Sequence, residues 1–139
     1  MEIIKGGEFQ DERGFIRFVN DFDMTSIRRF YILSNSSEKI LRGWRGHRTE
    51  NRWFFSIRGN YKIDVVKIDN WESPSENLEV CSYFLHERDN KVLNIPEGYA
   101  TLIQSLTSSN ELLIFADFNI EHAKEDDYVY DVHHFINRI

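Results

Sequence analysis

The chain has 139 residues and 16.6 kDa, with 17 Lys and Arg against 23 Asp and Glu for a formal net charge of −6. This balance argues against a nucleic-acid-binding face, which needs a basic surface, and any cationic function has to be local. One cysteine rules out an intrachain disulfide and a thiolate metal cluster, the opening MEIIKGGEF does not read as a signal peptide, and no apolar run approaches the roughly 20 residues that span a bilayer. The expectation is a single soluble, cytoplasmic domain over residues 1–139.

Aromatic residues make up 14% of the chain and recur in short runs beside β-branched neighbours. In chain order the runs are FIRFV at 15–19, RRFYIL at 28–33, RWFFSIR at 52–58, YKIDVVKI at 61–68, LEVCSYFL at 78–85, KVLNI at 91–95, YATLIQSL at 99–106 and ELLIFADF at 111–118. Each reads as a strand. Between them lie DERG, SNSSEK, RGN, NWESPSEN, ERDN, PEG and TSSN, which hold the Gly, Asn, Asp, Ser and Pro that tight turns require. Many short strands in succession, without helices between them, describe an antiparallel sandwich or barrel.

Period two is clean in one run, where Tyr61, Ile63 and Val65 point one way and Lys62 and Asp64 the other. WFFSI and LLIFADF are apolar on both faces, as expected of strands covered on both sides by a second sheet and a partner subunit. Cys81 falls among alternating apolar residues and reads as a small buried side chain. At the C-terminus Tyr128, Val132, Phe135, Ile136 and Ile139 recur at helical spacing after Asp126 and Asp127, and predict one closing amphipathic helix.

The stretch LRGWRGHRTENRWFFSIRGNYKIDVV sets Gly43, Arg45, Gly46, His47, Arg52 and Gly59 at the spacing of the first motif of cupin barrels, and Pro96, Gly98 and Thr101 at that of the second. At the four metal-ligand positions the chain offers Arg45, His47, Arg52 and Thr101. A guanidinium cannot be deprotonated in a protein and repels a dication, so these residue types argue for no metal. Together with IRRFYILSNSSEKILRGWRGH, IPEGYATLIQSL and DDYVYDVHHF, the ordered set resembles the metal-independent cupins that act on dTDP-4-keto-6-deoxy sugars, the 3,4-ketoisomerases and the dTDP-4-dehydrorhamnose 3,5-epimerases. The resemblance runs from about Asp11 to the end. It implies an all-β cupin fold, a double-stranded β-helix or jelly-roll barrel with a short C-terminal helix, no cofactor, a nucleotide-sugar ligand and a homodimer. The chain departs from it at Arg45 and Thr101, which stand at histidine positions.

The chemistry of both branches removes a proton beside the 4-keto carbon, stabilises the enolate and returns a proton nearby. Imidazole suits the base, and His47 is the candidate inside the motif. On an alternating strand Arg45 faces the same side, where it serves the enolate oxygen or a diphosphate. Tyr31 is implied by the resemblance as an acid or second proton carrier. Arg42, Arg52 and Arg17 are candidates for diphosphate contacts, and Trp44, with Trp53, Phe54 and Phe55, for a wall that stacks on thymine. His86, His122, His133 and His134 are read as structural or solvated. One alternative is a cupin that kept its arginine-rich pocket, lost the acid–base set and binds an anionic ligand without turnover. Another, ranked last, is a metal cupin with unconventional ligands.

Overall fold

In the computed structural model, which describes residues 1–138, the alternating runs pair into two facing antiparallel sheets. The strands are β1 (Glu2–Lys5), β2 (Gly7–Asp11), β3 (Gly14–Phe18), β4 (Arg29–Leu33), β5 (Arg42–His47), β6 (Arg52–Arg58), β7 (Tyr61–Lys67), β8 (Cys81–Leu85), β9 (Lys91–Ile95), β10 (Tyr99–Ser105), β11 (Glu111–Ala116) and β12 (Tyr128–Val129). One sheet has the order β1-β9-β6-β11-β4, the other β12-β5-β10-β7-β8, and β2 with β3 forms a separate hairpin. This is the jelly-roll barrel expected of a cupin.

The barrel core is built by period two. Tyr61, Ile63 and Val65 on β7 meet Phe54 on β6, Leu93 and Ile95 on β9, and Ile114 on β11, all buried. The opposite face of β7 is not the solvated face that alternation alone implies. Val66 joins Trp44, Ala100, Leu102 and Phe135 in a second cluster, because the C-terminal segment lies across the outside of that sheet. Asp64 is consequently 1% exposed, and its carboxylate accepts hydrogen bonds from Ser82 Oγ at 2.6 Å and Arg138 Nε at 2.8 Å. Apolar residues on the outer faces of β6 and β11 are half-buried, with Phe22 packing against Trp53 and Phe115.

Two glycines are required by the backbone. Gly59 turns β6 into β7 with φ 81°, and Gly43, at φ 138°, lies where a Cβ would run into the Thr101 carbonyl.

The expected helix needs correction in its place. The short α-helix, α1, is Ile120–Ala123, followed by a 3-10 turn at Lys124–Asp126, while the segment after Asp127 opens with β12 and continues as turns. Ile139 lies outside the described residues. The apolar residues of that segment act as separate anchors: Tyr128 packs on Trp71 with centroids 4.9 Å apart and Phe135 on Trp44 at 5.0 Å. Tyr130 and Trp44 exchange two backbone hydrogen bonds, an extended pairing that a helix would forgo.

Candidate functional site

Strand β5 places two side chains into the barrel, and the segment after α1 holds both. Arg45 Nε pairs with Asp127 Oδ1 at 3.1 Å, and His47 Nδ1 lies 2.7 Å from the Asp126 carbonyl. A carbonyl only accepts, so Nδ1 carries the hydrogen and the Nε2 of the neutral ring is left as an acceptor. The Asp126 carboxylate also organises the turn after β5, accepting backbone N–H bonds from Arg48 at 2.7 Å, Thr49 at 3.0 and 3.1 Å, and Glu50 at 2.7 Å. That turn brings Glu50 back beneath His47, with Oε2 at 3.4 Å from Nδ1.

Arginines dominate the surroundings. Arg29 on β4 donates to Glu50 Oε1 at 2.9 Å and to the Phe118 carbonyl at 3.0 Å, with its guanidinium 5.1 Å from the Tyr31 ring centroid. Arg52 opens β6 at 3% exposure, donates to the Thr101 hydroxyl at 3.2 Å and interacts with the Tyr31 phenol. Its Nε is buried without a partner among the described residues. Burial, then the positive charge of Arg52, with Arg45 and Arg29 contributing less, pushes the His47 imidazole down to about 3 against the opposing pull of the Asp126 carbonyl. Burial raises the Glu50 carboxyl above its ordinary value, opposed by Arg29 and Arg52.

Two adjoining cavities open on this cluster. One, of about 400 Å³, lies between β4 and β5 and is lined by Tyr31, Arg42, Arg45 and Thr101. The other, of about 300 Å³, is lined by Arg29, Tyr31, Arg45, His47, Lys124 and Asp127. They share Tyr31 and Arg45, so a ligand spanning both meets three arginines, a lysine and a single acid, a field that draws anions. A cavity of about 510 Å³ elsewhere in the barrel, bordered by Tyr83, Tyr99 and Cys81, offers Lys67 against Asp69 and Glu79 and lacks that field.

The structure brings together His47, Arg45, Tyr31 and Arg42, with Arg52 behind Thr101 as a buried cation that lines neither cavity. Arg42 is held by Asn35 Oδ1 at 2.9 Å and the Ser34 carbonyl. Three expected binding residues, Trp44, Phe54 and Arg17, lie elsewhere. Trp44 has the opposite parity to Arg45 and is fully buried on the outer face of the sheet, its Nε1 donating to the Val132 carbonyl at 3.2 Å, so it presents no stacking surface. Phe54 is likewise fully buried, in the barrel core. Arg17 is committed to the other end of β6, donating to the Ile57 and Ser56 carbonyls at 2.8 Å each and to Asn90, above the Phe55 ring. It fastens the N-terminal hairpin.

Sequence reasoning missed Arg29, Asp126, Asp127 and Lys124, which share no motif spacing with β5. Among the described residues, no group of three or more His, Cys, Asp or Glu converges as a metal site would require. The four residues in the cupin ligand frame supply one imidazole, two guanidiniums and a hydroxyl, a donor set that does not fit a divalent cation. Among the described residues, no helix is long and apolar enough to cross a membrane.

Comparison with known proteins agrees with this architecture. The H-to-N mutant of the 3,4-ketoisomerase QdtA from Thermoanaerobacterium thermosaccharolyticum, in complex with TDP-4-keto-6-deoxyglucose, superposes with a TM-score of 0.68 at 21% identity, over 91% of this chain and 84% of that one. A 3,4-ketoisomerase from Helicobacter canadensis gives 0.66 at 17%, over 99% and 90%. The dTDP-6-deoxy-D-glucose-3,5-epimerase RmlC from Legionella pneumophila Philadelphia 1, in complex with dTDP-4-keto-L-rhamnose, gives 0.72 at 18%, over 94% and 72%. No curated protein sequence matches the chain. The family model described as FdtA: WxcM-like, C-terminal, matches residues 1–139, and the chain belongs to that family.

Proposed function

We propose that the chain, working as one domain, binds a dTDP-4-keto-6-deoxyhexose across the two adjoining cavities and isomerises it by metal-free proton transfer. The observation that carries this reading is His47, a neutral imidazole with Nε2 unprotonated, opening with Tyr31 and Arg45 onto a cavity ringed by cations. In the 3,4-ketoisomerase version Nε2 takes the proton from C3 and the electrons move to the 4-keto oxygen. Arg45 stabilises the resulting enediolate. Tyr31 gives its phenol proton to that oxygen and recovers one from the C3 hydroxyl, and His47 returns its proton to C4. The C3 hydroxyl has become the ketone, and both side chains are reset. Arg42 at the cavity mouth and the charge of buried Arg52 favour the diphosphate. A 3,5-epimerase shares the first step, after which Tyr31 rather than His47 gives a proton to the same carbon from the opposite face.

A second reading has specific support. An imidazole held at about 3 is a weak base, and Arg45 and Thr101 stand at histidine positions of the resembling enzymes, so the pocket also suits a protein that binds the sugar nucleotide without turnover. Proton NMR of dTDP-4-keto-6-deoxyglucose in deuterated water tests both. Exchange at C3 that is lost in His47→Asn supports the ketoisomerase, and exchange at C3 and C5 supports the epimerase. Broadening of the thymine signals without exchange supports the binding protein, and neither effect ends the nucleotide-sugar reading.

The proposal extends to a cytoplasmic homodimer. Phe30 and Ile32, 64% and 56% exposed on the outer face of edge strand β4, and Phe9, Phe15 and Ile16 on the β2–β3 hairpin make apolar surface that a partner would cover. Sedimentation equilibrium showing a monomer at micromolar concentration would remove this part.

A further inference from the structure

Glu50 is a buried carboxyl beside His47 that has no part in the proton transfer between His47 and Tyr31. Its side chain is 1% exposed. Oε1 is fixed by Arg29, whereas Oε2 is buried and accepts no hydrogen bond from any described residue, although it faces His47 Nδ1 at 3.4 Å. The position is built rather than incidental, because the Asp126 carboxylate grips the backbone N–H groups of Arg48, Thr49 and Glu50 and so fixes the turn that carries the carboxyl under the ring. An unpartnered carboxylate oxygen in such a place matches a state in which the imidazole is charged.

That state is the one a base must enter. When Nε2 accepts a proton, the imidazolium faces Arg29 from β4, Arg45 from its own strand β5 and Arg52 from β6, three cations that oppose it. From the 3-10 turn the Asp126 carbonyl accepts from Nδ1 while the Asp126 carboxylate is turned to the backbone of the 48–50 turn, and Lys124 and Asp127, the latter paired with Arg45, line the same cavity. Glu50 Oε2 is the anionic atom within ion-pair distance. We propose that Glu50 is the positioning residue of His47: its free Oε2 accepts the Nδ1 hydrogen and balances the imidazolium charge whenever Nε2 is protonated. In the resting state Nδ1–H points to the Asp126 carbonyl, and on protonation the ring's charge is shared with Glu50 by a small reorientation. The cations then serve the anionic substrate and the carboxylate serves the base, which lets both charges exist in one pocket. The inference rests on the reading of His47 as the proton carrier.

Heteronuclear NMR on the full chain tests it without depending on turnover. In the wild-type protein saturated with dTDP, the imidazole nitrogens of His47 and the carboxyl carbon of Glu50 are followed through an acid titration. The expected result is a common inflection, the Glu50 carbon responding as His47 protonates. Independent titration of the two overturns the proposal. In Glu50→Gln, which keeps the shape and an acceptor for Arg29, the His47 inflection is expected to fall by about one pH unit or more relative to the wild-type complex. If the chain turns over its sugar, kcat is expected to drop about tenfold with KM little changed, and Glu50→Asp to recover part of the loss. An unchanged His47 inflection in a folded Glu50→Gln protein overturns the proposal. Should that variant not fold, the wild-type titration still decides. Absence of sugar isomerisation with a shared inflection removes the proposed reaction and leaves the His47–Glu50 pair standing.

Discussion

Replacing Asp126 with Ala removes an anion that organises the whole turn between β5 and β6. Its carboxylate, in a residue 4% exposed, accepts the N–H groups of Arg48, Thr49 and Glu50 at 2.7 to 3.1 Å. Arg48 and Thr49 are exposed residues whose N–H groups water reaches once the carboxylate has gone, while the Glu50 residue is buried and its N–H is left without an acceptor. Hydrogen bonds to a charged group are worth about 1.5–3 kcal/mol each when nothing replaces them, and less when water does, so the substitution should cost about 3 kcal/mol. An unfolding entropy of about 2.1 cal/mol/K per residue gives about 0.3 kcal/mol/K for 139 residues, so the melting temperature should fall by about 10 °C. Asn keeps one acceptor oxygen without the charge and should lose about half as much. Urea unfolding followed by fluorescence measures it, the midpoint moving with the slope unchanged. A loss below about 1 kcal/mol in Asp126→Ala would refute the view that this carboxylate holds the turn, and with it the account of why Glu50 lies under His47.

Arg52→Met should leave stability within about 1 kcal/mol, because a buried cation pays a desolvation cost that an apolar side chain of similar length avoids. Its dTDP affinity should fall by about tenfold as the buried positive charge is lost, and calorimetry finding equal affinity would show that Arg52 plays no part in anion binding. For His47 the pH dependence has a definite sign. The unfolded ring titrates near 6.5 and the folded one at about 3, so between those values the unfolded state holds the extra proton and stability falls as pH is lowered, by up to about 1.4 kcal/mol per pH unit. Glu50 acts in the opposite sense above its ordinary 4.5, the folded state there holding the extra proton. The difference between wild type and His47→Asn isolates the imidazole, and the wild-type advantage should shrink as pH drops from 6.5 towards 3; a constant difference would mean that the fold does not hold this ring neutral. In the C-terminal strap, Asp64→Ala and Arg138→Ala should each cost about 2 kcal/mol, with a coupling of about 1 kcal/mol in a double-mutant cycle, and purely additive losses would show that their 2.8 Å contact does not fasten the segment.

The local pattern carried the strands well where the chain itself supplies the signal. β6 and β9 match RWFFSIR and KVLNI residue for residue, because alternating apolar side chains and the turn residues beside them need no distant partner to be recognised. The same parity placed Arg45 and His47 on one face of β5. It gave no warning of β1, β2 and β12, whose apolar residues are too few to stand out and which owe their pairing to β9, β3 and β5. Nor did helical spacing after Asp127 yield a helix, since backbone exchange with Trp44 and contacts with Trp71 outweigh local preference there.

For the site the division is similar. Residue types alone set the exchange of metal ligands for cations, and the resemblance to sugar-nucleotide cupins follows from that ordered set of residues. What only the tertiary structure decided is which arginines count and what state the histidine is in. The sequence singles out Arg17 and passes over Arg29, yet Arg17 fastens a hairpin and Arg29 reaches Glu50. Trp44 and Arg45 are neighbours, yet one is sealed under the C-terminal segment and the other lines both cavities. The ring of His47 is governed by Asp126, 79 residues away, and by burial among cations from three strands. Strand periodicity is a property of consecutive residues, whereas charge, burial and hydrogen-bond partners are set by whichever distant segments the folded chain packs together.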